Sequence, residues 1–311
     1  MNKKLIARAN ELYYDLMNGD YEEDHREILL LTLSRLKKIS DSLFNHWIKK
    51  NNRVVVDIGS GTGFVPLSIA SDLNENDFVI CTDIYEGMLK KEQENLESAG
   101  VKFKRTFLKS DGINYPVADE VADVVMANSM LHHVSDPEAF FKEVSRIAKK
   151  GGYFVLSHEP NAKFQNNKVL WTIYRILYLL YNPRALFESL NRRGWLKTKI
   201  TEIKNQNEAI SEINQILIKE GFISSPLSEH KLNMLVEINS IKGFFIEDIK
   251  KMLPLFKLIQ IETYNHLWWI YINHHRNPFI RAIDAILKII YPYDGKSMIL
   301  VFQKNETNVT K

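Results

Sequence analysis

The stretch Arg53-Val-Val-Val-Asp-Ile-Gly59-Ser-Gly-Thr-Gly63-Phe64 decides how the rest of this 311-residue chain is interpreted. Its three consecutive valines form an apolar, β-branched run, which is typical of a strand buried on both faces. Three glycines at alternate positions follow, and a helical pattern begins after them. Glycine has no Cβ, so the turn can be tight and its backbone can approach a ligand. The free N–H groups of the next helix can bind polar atoms. This order of elements predicts a site for a nucleotide-like cofactor.

The spacing of the glycines separates the classes of cofactor. A dinucleotide turn, G-x-G-x-x-G, that began at Gly59 would need glycine or alanine at position 64, where Phe64 stands. A phosphate-binding P-loop would need a lysine that the stretch lacks. The observed pattern is D-x-G-x-G-x-G, with Asp57 two residues before the first glycine. It resembles motif I of the class I S-adenosylmethionine (SAM) dependent methyltransferases; the alternative is a glycine-rich turn in an unrelated α/β protein.

This resemblance implies a fold and a cofactor. The fold is α/β, a Rossmann-like, doubly wound sheet of seven strands whose last strand is antiparallel, with an N-terminal helical cap and an inserted helical lid. The cofactor is S-adenosyl-L-methionine, with S-adenosyl-L-homocysteine as product. In the family, the acid of the motif lies close to the methionine part of SAM and the glycine backbone lines the cofactor. The residues that take these positions are Asp57, Gly59, Ser60, Gly61 and Gly63.

Two further acids follow predicted strands. Asp83 ends the second strand, where a carboxylate can accept hydrogen bonds from both ribose hydroxyls; the alternative is a plain helix N-cap. After it, Ile84 and Met88 resemble the family segment that packs on adenine. Asp111, followed by Gly112, matches the position of an acid that binds the adenine amino group in the family, and a turn-forming aspartate is the alternative.

The segment after the fourth strand carries the candidate catalytic residues. Asn128 is expected beside the methionine half of SAM, and the following residues resemble the "LHH…D-P" segment of small-molecule methyltransferases. Because histidine titrates near neutral pH, His133 and then His132 are candidates to take a proton from the acceptor; the alternative is that they only orient the loop. His158 is the third candidate for this role, and His158 and Glu159, at the carboxyl end of the sheet, are candidate acceptor contacts. Adjacent histidines on a helical turn point in different directions, so no metal site is predicted.

The chain divides into five predicted parts. They are an N-terminal helical cap (1–50), a SAM-binding core (51–161), a helical acceptor-binding insertion or lid (162–245), a C-terminal completion of the sheet (246–304) and a tail (305–311). The cap can cover the cofactor, or it can merely cover a hydrophobic sheet edge. Within the core, a helix is predicted over 137–150, ended by Gly151-Gly152, and a strand over 153–157.

Composition limits the partners. The chain is 45% hydrophobic and 25% charged with a net charge of +3, which does not indicate the concentrated basic face of a nucleic-acid-binding protein. The single cysteine, Cys81, is expected on a buried strand and cannot form an internal disulfide, so nothing requires an oxidising compartment. Without a signal-peptide pattern or a membrane-spanning apolar run, we expect a cytoplasmic protein without a transmembrane segment.

Two regions of the predicted lid and C-terminal part have more than one interpretation. The helices near 165–181 and 279–291 have wide apolar faces, and Trp268 and Trp269 add to them. These faces fit core packing, a homodimer interface, or a site for a hydrophobic or lipid-linked acceptor near a membrane surface. The basic stretch 191–199 fits an anion site or solvated surface.

Together these features predict a SAM-dependent methyltransferase. The methyl group would go to an oxygen or nitrogen atom of a small-molecule or lipid- or saccharide-linked acceptor. The alternative is a catalytically inactive, methyltransferase-like binding or scaffold protein. The predicted cofactor-binding acids Asp57, Asp83 and Asp111 argue against this alternative. A nicotinamide oxidoreductase is disfavoured by Phe64.

Overall fold

A seven-stranded sheet organises the protein in the computed structural model, which describes residues 2–16, 32–182, 200–240, 242–274 and 276–306. The strands are β1 (Val54–Ile58), β2 (Phe78–Asp83), β3 (Lys104–Lys109), β4 (Ala122–Asn128), β5 (Ala148–Pro160), β6 (Phe256–Tyr264) and β7 (Ser297–Lys304). Their order is β3-β2-β1-β4-β5-β7-β6. Strands β1 to β5 pair in parallel, and β7 is antiparallel to both of its neighbours. The predicted doubly wound sheet with an antiparallel last strand is therefore confirmed.

Helices surround this sheet. They are α1 (Lys3–Leu16), α2 (32–41, continued by a π-helical turn Ser42–Trp47), α3 (Phe64–Ile69), α4 (Glu86–Ser98), α5 (Pro137–Ile147), α6 (Ala162–Asn166), α7 (Lys168–Tyr181), α8 (Ile200–Lys219), α9 (Glu229–Val236), α10 (Ile246–Met252), α11 (Trp268–His274) and α12 (Pro278–Ile290). In the part of the chain that the structure describes, no helix combines the length and the apolar character needed to cross a bilayer.

Alternate residues of the central strands belong to two separate hydrophobic clusters. Val56 of β1 packs with α5 and α10, whereas its neighbour Val55 packs with α2, α3 and α4. This alternation is what a strand covered on both faces requires. Cys81 belongs to the second cluster, as a buried free thiol on β2, as predicted.

The boundary between α5 and β5 differs from the prediction. The helix ends at Ile147 rather than near Lys150, and Ala148 already pairs with Ala122 of β4. The two glycines therefore lie inside a long strand instead of ending a helix. A Cβ on Gly152 would come within 2.9 Å of the Lys149 carbonyl oxygen, so the strand needs glycine there. Because β5 continues to Pro160, His158 and Glu159 lie within the strand rather than after it.

The predicted insertion contacts two different regions of the protein. Helices α8 and α9 pack on the N-terminal helix α1 through Leu12, Ile213 and Leu232, and Arg8 binds Glu220 of the insertion through two nitrogens, at 2.9 and 2.7 Å. Helices α6 and α7 instead share a hydrophobic cluster with α11 and α12. The basic stretch 191–199 and the side chains of Trp268 and Trp269 lie outside the described residues, so their predicted roles stay predictions.

Candidate active site

A cavity of about 460 Å³ lies where the carboxyl ends of β1, β2, β4 and β5 meet helix α1. Most of the residues predicted for the site line it together: Gly59, Ser60, Gly61, Asp83, Ile84, Met88, Asp111, Gly112, Asn128, His132, His133 and His158. Two of the predicted cofactor residues, Asp57 and Gly63, do not line its wall. Ligands of open α/β sheets bind at this edge, so the position fits a cofactor site.

The glycine turn has a backbone that only glycine adopts without strain. Gly59, Gly61 and Gly63 have φ values of 68°, 56° and 93°. A Cβ on Gly59 would meet the Met130 Cβ at 2.8 Å, and one on Gly63 would meet the Glu92 Cγ at 2.9 Å. A Cβ on Gly61 would meet nothing within 4 Å. Gly61 therefore presents bare backbone to open space in the cavity, as a close approach to a ligand requires.

The Asp83 carboxylate ties the glycine turn to the end of β2. Its Oδ2 accepts a hydrogen bond from the Gly61 N–H at 3.0 Å, and its Oδ1 accepts one from the Tyr85 N–H at 2.9 Å. Burial raises the pKa of Asp83, while these N–H donors act in the opposite direction. Since each carboxylate oxygen has two lone pairs, Asp83 retains acceptor capacity on its cavity side.

Two buried acids lie beneath the turn. Neither carboxylate oxygen of Asp57, a residue with 0% exposure, has a hydrogen-bond partner among the described residues. Glu92, also fully buried, accepts a hydrogen bond from the Ser60 hydroxyl at 2.6 Å. Burial raises the pKa of Glu92 to about 7, and burial together with the Glu92 charge raises the pKa of Asp57. Sequence analysis missed Glu92, although it interrupts the buried stripe of Met88 and Leu96 on α4.

Asp111 shapes its own loop. Its Oδ1 accepts hydrogen bonds from the N–H groups of Ile113 at 3.0 Å and Asn114 at 3.1 Å. The turn-forming role that the sequence left as an alternative is therefore present. The residue also lines the cavity.

Glu159 holds the histidine turn from below and does not line the cavity, so its predicted contact with the acceptor is wrong. Its Oε1 accepts the N–H groups of Met130 and Leu131, both at 2.8 Å. Its Oε2 accepts the N–H of His132 at 3.2 Å and the Nδ1–H of the same residue at 2.9 Å. A carboxylate with 0% exposure and these four donors positions the loop that carries both histidines.

The pKa values of the two histidines shift in opposite directions. Burial lowers the pKa of His132, but the Glu159 carboxylate outweighs it and the pKa is raised. Burial and the neighbouring His132 lower the pKa of His133 to about 4. The Val236 carbonyl oxygen accepts a hydrogen bond from His133 Nδ1 at 2.8 Å, which leaves Nε2 as the acceptor. Nε2 lies 3.0 Å from the Tyr14 hydroxyl, which therefore donates to it.

The far wall of the cavity includes His158 and Lys296. His158 has a φ of 56° at an irregularity in the pairing of β5 with β7, and its Nδ1 lies 2.8 Å from the Tyr264 hydroxyl and 3.1 Å from Thr32 Oγ1. Burial lowers the pKa of Lys296 to about 8, against the effect of the Glu237 charge. Sequence analysis missed Lys296 and did not single out Tyr14 from the other tyrosines of the cap.

The histidine pair also forms part of a cluster with metal-ligand chemistry. In the described part of the chain, His132, His133 and Glu237 bring potential ligand atoms within 4.8 Å of one another. The expectation that the two rings point apart is wrong, because their centroids lie 4.0 Å apart. The imidazole nitrogens are 3.7 and 3.9 Å from the Glu237 oxygens, wider than the roughly 3.3 Å between ligands of a tetrahedral zinc ion. The Nδ1 atoms of the two histidines are bonded to Glu159 and to the Val236 carbonyl oxygen.

The comparisons with known proteins agree with this geometry. Residues 56–156 match the profile of the methyltransferase domain family. The chain is 31% identical over 173 residues, 55% of its length and 63% of the relative's, to the ubiquinone/menaquinone biosynthesis C-methyltransferase UbiE of Azotobacter vinelandii. It is 24% identical over 185 residues, 56% of its length and 62% of the relative's, to the ajmaline N-methyltransferase of Rauvolfia serpentina. The chain thus spans less than two thirds of the length of these relatives.

A solved structure shows the same fold along nearly the whole chain. The complex between the Trm112 methyltransferase activator of Haloferax volcanii and a methyltransferase contains a chain that superposes with a TM-score of 0.51 at 11% identity, covering 98% of this protein and 99% of that chain. The likeness concerns the fold alone. The glycine turn lies within the match over residues 56–156, so this part of the chain is similar to the methyltransferase domain family, in keeping with the resemblance to the class I SAM-dependent methyltransferases.

Proposed function

We propose that this protein is an active SAM-dependent methyltransferase that methylates an oxygen or nitrogen atom of a small-molecule acceptor. One observation carries the proposal. A single cavity contains both the residues that the family resemblance assigns to the cofactor and a neutral histidine, His133, bonded to Tyr14. Cofactor and proton acceptor would therefore face the same space. A cytoplasmic location is part of the proposal.

The residues of the turn fit the cofactor. Gly61 offers backbone to open space that a side chain would fill, and Asp83 keeps acceptor capacity for ribose hydroxyls. Asp57 lies beneath the turn and off the cavity wall, so it would support the turn rather than contact the cofactor. Ile84 and Met88 would pack on the adenine and Asp111 would bind its amino group. Asn128, whose side-chain oxygen accepts the Ser157 hydroxyl, would lie beside the methionine.

The chain's own contribution to the reaction is mainly alignment. When bound, SAM supplies a methyl group on a positively charged sulfur, which an acceptor atom attacks in line. Holding two reactants in the correct geometry can supply roughly 7–11 kcal/mol of the barrier. Helix α1 contributes Ile6, Asn10 and Tyr14 to the cavity wall, so the N-terminal cap helps to exclude water from the acceptor. This arrangement supports the cap as a cover for the cofactor site.

His133 is positioned to receive a proton. Its Nδ1–H is fixed on the Val236 carbonyl oxygen, so Nε2 carries the lone pair to which the Tyr14 hydroxyl donates. An acceptor hydroxyl that took the place of the Tyr14 hydroxyl would donate to the same atom. A pKa near 4 makes His133 a weak base, so this site suits an acidic hydroxyl or a neutral amine rather than an aliphatic alcohol. His132, whose pKa Glu159 raises, would stay in place beside it.

The identity of the acceptor is the less specific part of the proposal. The insertion reaches the site through Ser240, which lines the cavity, and through Asn239, whose N–H donates to the His132 carbonyl oxygen at 3.0 Å. Apolar side chains such as Val134 and Pro160 contribute to the wall. We propose a hydrophobic or lipid-linked acceptor. The names of the two relatives differ in the methylated atom, carbon in one and nitrogen in the other.

The test is calorimetric titration with S-adenosylhomocysteine, with NADH as the control ligand. We expect micromolar binding of S-adenosylhomocysteine alone and at least tenfold weaker binding by Asp83→Ala. Asp119→Ala is the matched control, because Asp119 is exposed and binds Arg146 outside the cavity. Absence of binding to a folded sample would favour the inactive scaffold, and binding of NADH would favour an oxidoreductase.

A further inference from the structure

Helices α7 and α12 each expose an aliphatic stripe. On α7 the stripe is formed by Val169, Ile176 and Leu180, which are 52%, 55% and 66% exposed. On α12 it is formed by Phe279, Ile286 and Ile289, which are 58%, 55% and 80% exposed. The spacings of seven and four, and of seven and three, place each set on one side of its helix. We call these six residues the aliphatic stripes.

The stripes are a second apolar face of each helix, separate from the core. The inward faces are already used: Leu170, Tyr174 and Leu177 of α7 share a buried cluster with Ile280 and Leu287 of α12. Packing within the described part of the chain therefore accounts for one face only. Large exposed aliphatic side chains that recur along two helices mark a surface that contacts another phase or partner.

The charges beside the stripes are cationic. The only charged residues of α7 are Lys168 and Arg175, and both are exposed. Helix α12 carries Arg281 and Lys288, also exposed, and the latter lies 3.6 Å from Glu262. The one acid on either helix, Asp284, is half-buried and accepts a hydrogen bond from the Leu267 N–H at 3.3 Å. An apolar face beside lysine and arginine is the composition of a helix that lies in a membrane interface.

From these observations we infer that α7 and α12 dock the protein on the surface of an anionic lipid membrane. A negatively charged leaflet attracts lysine and arginine near its surface, and the aliphatic stripes then enter the boundary of the acyl chains. A second copy of the chain fits less well. In a twofold interface the same patch meets itself, so the cations beside the stripes would face cations.

The docking face is connected to the cavity. Helix α6, which leads into α7, begins two residues after Pro160, and α12 precedes Lys296; both of these residues line the cavity. The Asn161 side-chain nitrogen joins the two connections, because it donates to the carbonyl oxygens of Tyr293 at 2.8 Å and Gly295 at 2.9 Å. A membrane-borne acceptor could therefore reach the cavity from this face. That last step rests on the proposed function, whereas the docking does not.

The experiment is flotation of the full chain with vesicles of phosphatidylcholine alone or with phosphatidylglycerol added, without cofactor. We expect binding to the anionic vesicles and its loss at high salt. Ile286→Ser with Ile289→Ser should weaken binding at least tenfold, since both apolar side chains would no longer be buried in the acyl-chain boundary. Arg281→Gln should weaken it about fivefold, since a surface cation contributes about 1 kcal/mol. Ile218→Ser, at a 39% exposed isoleucine on α8, is the control.

Three outcomes would overturn the inference. They are failure of the parent chain to float with anionic vesicles, equal flotation of the double variant, and a dimer in sedimentation equilibrium that the double variant abolishes. Circular dichroism verifies the fold of each variant. Binding of S-adenosylhomocysteine is measured on the same samples, so a failure of the proposed function is recorded separately from a failure of docking.

Discussion

Glu159 accepts hydrogen bonds from both the backbone N–H and the Nδ1–H of His132. The same carboxylate accepts the two preceding N–H groups of the turn. One fully buried side chain therefore fixes the backbone of the histidine turn, orients the His132 ring and raises its pKa. The orientation of His133 on the same turn depends on this contact as well.

We expect Glu159→Gln to lower the pKa of His132 and to destabilise the fold. An amide accepts on one side only, so at least one of the four donors loses its partner, at a cost of about 1–3 kcal/mol. The sign of the pH effect follows from the raised pKa of His132. Its pairing stabilises the folded state below the unfolded pKa, and this contribution is lost as the pH rises through the folded pKa.

The measurement is an NMR titration of the histidine side chains together with urea unfolding at pH 6. Glu143→Gln is the control, because Glu143 binds Arg146 on α5, in a contact without His132. If the pKa of His132 is unchanged in Glu159→Gln, the Glu159 carboxylate is not the cause of the raised pKa.

A second prediction concerns the hydrogen bond between the Tyr14 hydroxyl and His133 Nε2. We expect His133→Ala to leave the affinity for S-adenosylhomocysteine nearly unchanged and to reduce turnover of a phenolic acceptor by about 10²-fold, the lower end of the range for general-base catalysis, because a base with a pKa near 4 is weak. Tyr14→Phe should change turnover little, because the acceptor takes the place of the Tyr14 hydroxyl at Nε2. It removes the hydroxyl 3.0 Å from Nε2 but keeps the edge-on ring contact, whose centroids lie 5.5 Å apart.

Turnover is followed with a panel of phenolic and amine acceptors, and cofactor affinity by calorimetry. The adjacent Tyr13→Phe is the control, since Tyr13 contacts the ring of Tyr14 at 5.7 Å but does not line the cavity. Full turnover of His133→Ala at saturating acceptor would remove this residue from the mechanism and leave alignment as the main effect.

Sequence reasoning succeeded where function depends on the ends of parallel strands. Because those ends meet at one edge of the sheet, Asp83, Asp111 and Asn128 could be placed in one cavity from their positions after strands. Asp57 follows the same logic, but its side chain turns to the buried side, where it lies near Glu92. Successive side chains of a strand point to opposite faces of the sheet. An error of one residue in the position of the strand therefore reverses the predicted direction of a side chain.

The residues that were missed approach from distant parts of the chain. Tyr14 and Lys296 reach the cavity from the first helix and from the start of the last strand, and no local pattern marks either of them. The contact of Val236 with His133 depends on how the insertion packs against α1, which hydrophobic periodicity does not specify. Glu159 was a candidate ligand contact because the residue type alone does not distinguish a buried glutamate from an exposed one.

A third prediction concerns the stability of the turn against pH. The folded pKa of Glu92 is about 7, above its ordinary value of 4.5. Below pH 4.5, Glu92 is protonated in both the folded and the unfolded chain. As the pH rises toward 7 the unfolded chain loses the proton first, so stability falls, by about 3 kcal/mol for a shift of this size. Glu92→Gln keeps an acceptor for Ser60 and should remove this slope.

The measurement is urea unfolding at intervals between pH 4.5 and 8. We expect Glu92→Gln to be the more stable protein at pH 8, while Glu94→Gln, on the exposed side of the same helix, should behave like the parent. If the parent and Glu92→Gln show the same slope, Glu92 is ionised in the folded protein.

The last prediction separates the two tasks of the glycine turn, folding and ligand approach. Gly59 and Gly61 both have positive φ, at 68° and 56°, so alanine costs about 1–2 kcal/mol at either position. At Gly59 the new methyl group would also meet Met130 at 2.8 Å, and crowding of this kind adds about 1–3 kcal/mol. At Gly61 it meets nothing within 4 Å and projects into open space at the cavity.

Gly61→Ala should therefore remain folded and lose affinity for S-adenosylhomocysteine at least tenfold, while Gly59→Ala should lose mainly stability. Gly221→Ala is the control. It has a φ of 75° and open space around its Cβ position, but lies in the insertion, away from the cavity. Unfolding by urea and titration with S-adenosylhomocysteine are measured on all three variants. If Gly61→Ala binds as tightly as the parent while Gly221→Ala shows the same loss of stability, the bare backbone at Gly61 serves the turn and not the cofactor.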